Sequence, residues 1–84
     1  MDNKELNKRV AHKLLGWLDV WGEPAYYLND ELLAKQIAHR LGDAKVERKD
    51  DHYEVVLYNR NGRKGEGRSS RESIAVFLAA LDSL

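Results

Sequence analysis

A basic, glycine-rich stretch from Asn59 to Arg71 is the part of the chain best suited to bind an anion. It carries a single acid, Glu66, and its basic residues are Arg60, Arg63, Lys64, Arg68 and Arg71. Glycines at positions 62, 65 and 67 leave the backbone free to approach another molecule. We expect this stretch to bind a phosphate or an acidic protein surface. The alternative is a solvated, charged hairpin at a sheet edge.

The same stretch leads into a predicted helix. Ser69 and Glu72 have the spacing of a capping box in front of an apolar run over residues 74–84. Free N–H groups and the helix dipole attract anions at such an N-terminus, which would add to the effect of the arginines. Capping would account for Ser69, whereas Ser70 is left as a candidate binding residue.

Residues that could carry out catalysis or bind a metal are not arranged for it in this sequence. His12, His39 and His52 fall on separate predicted elements, without the spacing that places two ligands on one helix face. The serines lack a glycine elbow, and no phosphate-binding glycine motif is present. The acids at Asp50-Asp51 are typical turn formers. We therefore predict no enzyme activity, no cofactor and no metal site.

Aromatic residues cluster around the connector Ala25–Leu28, which leads to the second helix, and they allow two interpretations. Trp17, Trp21, Tyr26 and Tyr27 lie close together in the sequence. They could form a core corner that closes the first helix on the sheet. They could equally form a binding surface, because tryptophan and tyrosine give rigid contact area and can stack on a base.

The composition indicates one small domain over residues 1–84, without a strong electric field. The chain has 84 residues, with 14 basic and 14 acidic side chains and no cysteine. A domain of this size has a narrow stability margin, which dimerisation would widen. No apolar run approaches the ~18 residues that a membrane span needs. We expect a cytoplasmic protein without a membrane partner.

Hydrophobic periodicity predicts two helices before the first strand. Asp2 can cap the first helix, which ends either at Gly16 or at Trp21. The second helix is predicted to begin after an N-cap at Asn29 and to end at Gly42 as a C′ glycine.

Strand patterns follow, and a last helix closes the chain. We predict strands over Ala44–Lys49 and His52–Tyr58, and a short edge strand around Arg63–Arg68. Asn61-Gly62 favours a type I′ turn. In the last helix one apolar side should be buried, formed by Ile74, Phe77, Leu78, Leu81 and Leu84. The predicted class is α+β, in the order α-α-β-β-(β)-α, with helices packed on a small antiparallel sheet.

Soft motifs spread over nearly the whole chain resemble a known family. They are Leu6 and Val10 before Gly16-Trp17, Leu28-Asn-Asp, Ala34 with Ile37, Tyr53–Leu57, Gly65-Glu-Gly67 and the Ala/Leu-rich run Ala75–Leu81. In this order and spacing the chain resembles the small phage-encoded ABA sandwich domains. The resemblance implies a phage or prophage accessory protein and carries over no catalytic residue. By analogy, such a protein would counter host defence by sequestering a signalling nucleotide or by blocking a host protein.

A second resemblance covers only the C-terminal third. The strand Tyr53–Leu57, the glycines, Ser69 and the last helix resemble the second half of a double-stranded RNA-binding domain. There, basic residues at the start of the last helix hold phosphates. Here Ser70 and Arg71 stand where that motif has two lysines, and Ile74 replaces a third. The resemblance implies an RNA-binding alternative.

Together these observations predict a binding protein whose partner is a host defence protein or an anionic nucleotide. RNA is the alternative partner, and a protein that dimerises through the Trp/Tyr corner is a third possibility. The candidate binding residues are Arg60, Arg63, Lys64, Arg68, Ser70, Arg71, Trp17, Trp21, Tyr26 and Tyr27.

Overall fold

The computed structural model describes residues 2–16 and 24–84. Within them the helices are α1 (Asn3–Arg9) with a π-helical extension (Val10–Leu14), α2 (Glu31–Leu41) and α3 (Glu72–Asp82), and the strands are β1 (Gly42–Arg48), β2 (Tyr53–Asn59) and β3 (Lys64–Ser69). The predicted α+β class is confirmed, including the third strand.

The first helix ends earlier than the longer of the two predicted possibilities. Asp2 caps α1 as expected, because its Oδ1 accepts from Glu5 N at 2.8 Å. The helix then widens, and Leu15 N donates to Val10 O at 3.2 Å. Gly16 follows with φ 76°, a conformation that favours glycine and ends the helix. Trp21, the other predicted end, lies outside the described residues.

The second helix ends at Gly42 as predicted, but its N-cap and the conformation of that glycine need correction. The N-cap is Asp30 and not Asn29, because the helix begins at Glu31 and the Asp30 carboxylate accepts from Leu33 N at 2.9 Å. At the other end Gly42 has φ 166°, which is extended backbone, and it starts β1 directly. Glycine is required there because a Cβ would overlap the carbonyl oxygen of Tyr58.

The sheet is antiparallel, and β2 is its central strand. Within the described residues its order is β1-β2-β3, so the predicted third strand does lie at an edge. The β2–β3 turn is not type I′, since φ is positive at Gly62 (90°) and not at Asn61. Gly62 N donates to Asn59 O at 3.0 Å, as in a type I turn followed by a glycine bulge.

The core lies between the helices and one face of the sheet. Val55 and Leu57 point into it, as the alternation in β2 predicts, and Phe77 of α3 is fully buried among them. Helix α3 packs across β3 and β2, whereas α2 packs against α3 and β1. Leu84, predicted to be buried, is 39% exposed because α3 ends at Asp82.

Glycines in β3 serve the packing of α3 and do not open the backbone to a ligand. A Cβ at Gly65 would overlap Ala79 O, and a Cβ at Gly67 would overlap Ala75 O. The small side chain at each position lets the helix lie directly on the strand. This corrects the expectation that both glycines allow another molecule to approach.

The predicted capping box at the start of α3 is wrong. The helix begins at Glu72, and its N-cap residue is Arg71, whose side chain cannot accept a hydrogen bond from the first free N–H groups. Ser69 belongs to β3, and its Oγ accepts from Arg71 N at 3.3 Å. The strand continues to Ser69 because it pairs there with Tyr53, which moves the helix start beyond the reach of a box.

Candidate functional site

Arg60, the first predicted cation, binds the end of a helix. Its guanidinium donates to the carbonyl oxygens of Arg40 at 3.2 Å and His39 at 3.4 Å. Its backbone N–H donates to Leu41 O at 2.9 Å. These carbonyls at the C-terminus of α2 have no partner within the helix, and a cation there also offsets the helix dipole. Arg60 therefore has a structural role that does not require a ligand.

Arg63 and Lys64 also have partners within the chain. Arg63 Nη1 donates to Leu84 O at 2.5 Å, so the β2–β3 turn is joined to the chain end beyond α3. Lys64 Nζ lies 3.4 Å from Glu66 Oε1, in an exposed ion pair. Such pairs contribute little stability, so Lys64 could exchange Glu66 for a partner molecule.

Arg68 and Arg71 are the predicted cations whose guanidinium groups have no hydrogen bond or ion pair within residues 2–16 and 24–84. Both are exposed. Arg68 lies on β3 opposite Glu54, and Arg71 lies next to the exposed Ser70 at the start of α3. Four residues of β3, roughly 13 Å, separate Arg68 from Lys64, and Arg71 lies beyond the other end of the strand. The structure thus brings Ser70 and Arg71 together but does not gather the five basic residues into one site.

Carboxylates lie in the surface grooves beside Arg68 and Arg71. The groove at Arg71 also contains Glu31 and Glu72. A groove of about 500 Å³ beside Arg68 is lined by Arg9 and by two acids, Glu66 and Asp82. The charge in each groove is mixed, which disfavours a free anion and suits a surface that itself carries both signs.

The described aromatic residues of the connector have different environments. Tyr27 is half-buried against the core, and its backbone N–H donates to Asn7 Oδ1 at 2.7 Å. Tyr26 is 52% exposed. Trp17 and Trp21 lie outside the described residues. Of the two interpretations, core corner and binding surface, Tyr27 fits the first and Tyr26 is accessible for the second.

An open face of the sheet is the surface that sequence reasoning did not identify. We call it the outer face; its outward side chains are Asp43, Lys45, Glu47, Glu54, Val56, Tyr58, Lys64, Glu66 and Arg68. None of the described helices packs on it. Tyr58 on the central strand is 50% exposed, and its cross-strand partner is Lys64. Strict alternation in β2 was the signal that could have revealed Tyr58.

His52 joins two carboxylates at the end of this face. Its Nδ1 lies 2.5 Å from Asp51 Oδ1, and its Nε2 lies 2.8 Å from Glu54 Oε2. The hydrogen bond to Glu54, followed by that to Asp51, raises the pKa of His52 above its usual 6.5. The hydrogen bond from His52 in turn lowers the pKa of Asp51 and of Glu54. With His52 protonated the three side chains carry one net negative charge, and the positive charge of Arg68 also lowers the pKa of both carboxylates.

Metal and membrane sites were also sought in the described residues. No group of three His, Asp or Glu side chains there could hold a metal ion. None of the described helices has the length and apolar character needed to cross a membrane.

Comparison with protein-family models, with curated proteins and with solved structures finds no significant match to this chain.

Proposed function

We propose that this protein acts by binding, without catalysis, and blocks a host protein through the outer face of its sheet. The resemblance to phage ABA sandwich domains makes a defence protein in the host cytoplasm the class of target. In this proposal Tyr58 supplies the central apolar contact, and Lys64 and Arg68 pair with acids of the target.

The observation that carries the proposal is the half-exposed Tyr58 on the central strand of an open, mixed-charge face. Tyrosine gives a large contact area at low entropic cost and is enriched among the residues that dominate binding energy. Its cross-strand neighbours carry both signs, since Asp43 lies opposite Tyr58 on one side and Lys64 on the other. Such a pattern selects a complementary protein surface more readily than a small anion.

Sequestration of a nucleotide, the other expected mode of inhibition, has weaker support. Arg68 and Arg71 lie in separate grooves, and each groove contains acids that would repel a phosphate. Arg60 and Arg63 donate to backbone carbonyls at helix ends, so a nucleotide would have to displace those bonds.

A capture experiment with matched variants tests the proposal. The wild-type protein, Tyr58→Asp and Arg68→Glu are immobilised and exposed to bacterial lysate, and bound proteins and small molecules are identified by mass spectrometry. Leu32→Ser is the control, because Leu32 is 67% exposed on α2, away from the outer face. We expect the wild type and the control to retain a host protein that both outer-face variants lose.

Other outcomes would contradict the proposal. Equal capture of the same protein by all four forms would show that the outer face is not the contact surface. Recovery of a nucleotide in place of a protein would support sequestration instead.

The RNA-binding alternative is tested separately, because one observation favours it. The stretch that carries that resemblance forms β2, β3 and α3, with Ser70 and Arg71 just before α3. Ile74, which replaces a lysine of the motif, is half-buried on α3. If duplex RNA is the ligand, a gel shift weakens steeply with added salt and is lost in Arg71→Glu. A flat salt response would exclude this function.

A further inference from the structure

We propose that the outer edge of β1 pairs with the same edge of a second copy of this chain, in an antiparallel register centred on Val46. This pairing would join two sheets into one across a twofold axis. It goes beyond the proposed function and does not depend on it, because the pairing uses the backbone edge of β1, although Lys45 and Glu47 also belong to the outer face.

The free hydrogen-bonding groups of β1 follow from its pairing with β2. Lys49 N donates to His52 O at 2.8 Å and Arg60 N donates to Leu41 O at 2.9 Å, so odd-numbered residues of this segment point their backbone groups at β2. In an antiparallel ladder this direction alternates. The N–H and C=O groups of Ala44, Val46 and Arg48 therefore point outward, where no strand among the described residues pairs with them.

The opposite edge of the sheet is closed by the protein itself. By the same alternation, Glu66 points its backbone N–H outward from β3. That group donates to Asp82 Oδ2 of α3 at 2.9 Å. A side chain that occupies an edge in this way blocks the addition of another strand. The described part of β1 has no comparable protection, which makes it the edge that can accept a partner.

Apolar side chains of β1 also remain uncovered on the helix side of the sheet. Val46 is 43% exposed and Ala44 is exposed, although both lie on the face that packs against the helices. They line a groove of about 260 Å³ that α2 and α3 leave open. In a register centred on Val46, a second copy of β1 would bring its own Val46 against this one and extend the core, and its Arg48 would lie opposite Ala44.

Charge decides between the possible registers of two identical strands. Only registers that set even-numbered residues opposite each other bring the free backbone groups together. Centred on Val46, such a register places Lys45 opposite Glu47 of the second copy, on both sides of the axis, and Asp43 opposite Lys49. Opposite charges directly across a ladder stabilise it, and like charges destabilise it.

The neighbouring registers are worse for identifiable reasons. A register centred on Lys45 places Lys45 against itself and Asp43 against Glu47, and one centred on Glu47 places Glu47 against itself. A register centred on Ala44 relies on Gly42, whose N–H already donates to Ala38 O. The sequence of β1 thus complements itself best around Val46.

Charge reversal tests the pairing, with sedimentation as the measurement. Edge pairing buries less than about 1,200 Å², so we expect a weak, concentration-dependent dimer. Lys45→Glu and Glu47→Lys should each weaken it by roughly tenfold, because each creates like-charge pairs on both sides of the axis. An equimolar mixture of the two variants should form a heterodimer, and the double variant should dimerise like the wild type.

Crosslinking tests the register with a matched control. The chain has no cysteine, so Val46→Cys introduces a single thiol. Paired residues at the axis have Cα atoms about 5.5 Å apart, a distance suited to a disulfide. Ala44→Cys is the control, since its two copies would lie roughly 13 Å apart along the strands. Val46→Cys should crosslink under mild oxidation and Ala44→Cys should not.

Contrary results are equally clear. Because Ala44 and Val46 are exposed, we expect both cysteine variants to fold like the wild type, and circular dichroism can verify this. A wild type that stays monomeric at high concentration, together with equal crosslinking of the two cysteine variants, would overturn the proposal. Faster crosslinking of Ala44→Cys would overturn the register.

Discussion

At the scale of single residues, most of the predicted binding side chains have partners inside the molecule. Arg60 and Arg63 donate to carbonyl groups at the ends of α2 and beyond α3. Those acceptors lie about 20 residues away in sequence, so no local pattern could reveal them. Arg68 and Arg71 remain without a hydrogen bond or ion pair in the described residues, and they are the candidates that the structure leaves for a ligand.

The cluster around His52 makes stability depend on pH. Because its folded pKa is raised, His52 contributes stability that is complete below its unfolded value of 6.5 and is lost as pH rises through the folded value. Asp51 and Glu54 have lowered folded pKa values, so their contribution is present above the unfolded 3.8 and 4.5 and is lost as pH falls through the folded values. All three side chains therefore stabilise the fold fully between pH 4.5 and pH 6.5, the unfolded pKa values of Glu54 and His52.

We therefore predict that His52→Asn destabilises the protein in a pH-dependent way. The difference in unfolding free energy from the wild type should be largest at about pH 5–6, below the unfolded pKa of 6.5, and should decline as pH rises through the raised folded pKa of His52. Urea unfolding over a pH series measures it. His39→Asn removes an exposed imidazole from α2 and is the control. A difference that does not change across this range would contradict the assigned role of the cluster.

At the scale of elements, contact between β3 and α3 determines how the C-terminal part of the chain packs. Gly65 and Gly67 remove side chains from the inner face of β3, and the buried Ala75 and Ala79 of α3 lie directly against them. Periodicity alone favoured the larger residues of α3 as the buried face. The helix instead turns its small residues to the strand, because only they permit this close approach.

A methyl group at Gly67 should disrupt that contact. In Gly67→Ala the new Cβ would overlap Ala75 O and lie 2.6 Å from Ala79 N, both of them backbone atoms that cannot move alone. We expect a loss of about 1–3 kcal/mol or more in unfolding free energy. Lys64→Ala, at an exposed position on the same strand, should change it by less than about 0.5 kcal/mol. Chemical denaturation compares the two, and equal effects would show that α3 can shift to accept the methyl group.

At the scale of the whole molecule, Asn7 connects the N-terminal helix to the rest of the fold. It is 6% exposed on α1, and its amide donates to Ala25 O at 2.9 Å while its oxygen accepts from Tyr27 N at 2.7 Å. A polar side chain that satisfies two backbone groups across 20 residues of sequence holds α1 against the connector.

Removal of this amide should loosen α1 before it affects the sheet. Asn7→Ala leaves Ala25 O and Tyr27 N without their partner, at a cost of about 1–3 kcal/mol. Hydrogen exchange should become faster in α1 and the connector and change less in β2 and α3. Asn3→Ala, at an exposed position of the same helix, is the control. Equal acceleration throughout the chain would show that Asn7 stabilises the fold globally and not this contact.

By itself, the sequence determined the class and order of elements. Alternation in β2, the turn at Gly62 and the apolar spacing of the helices are local properties, and each produced an element close to its predicted position. The capping residues at the starts of α2 and α3 were not predicted correctly. The caps at Asn29 and Ser69 were wrong because helix starts moved by one or two residues, which is enough to change the side chain that reaches the first free N–H groups.

Only the tertiary structure decided which face and which edge of the sheet stay open. All described helices pack on one face, so the side of β2 that carries Tyr58 is exposed and the side that carries Val55 is buried. Asp82 accepts from the edge of β3, whereas the outward N–H and C=O groups of Ala44, Val46 and Arg48 in β1 face no strand among the described residues. These outcomes depend on contacts between residues far apart in the chain, which local residue patterns do not encode.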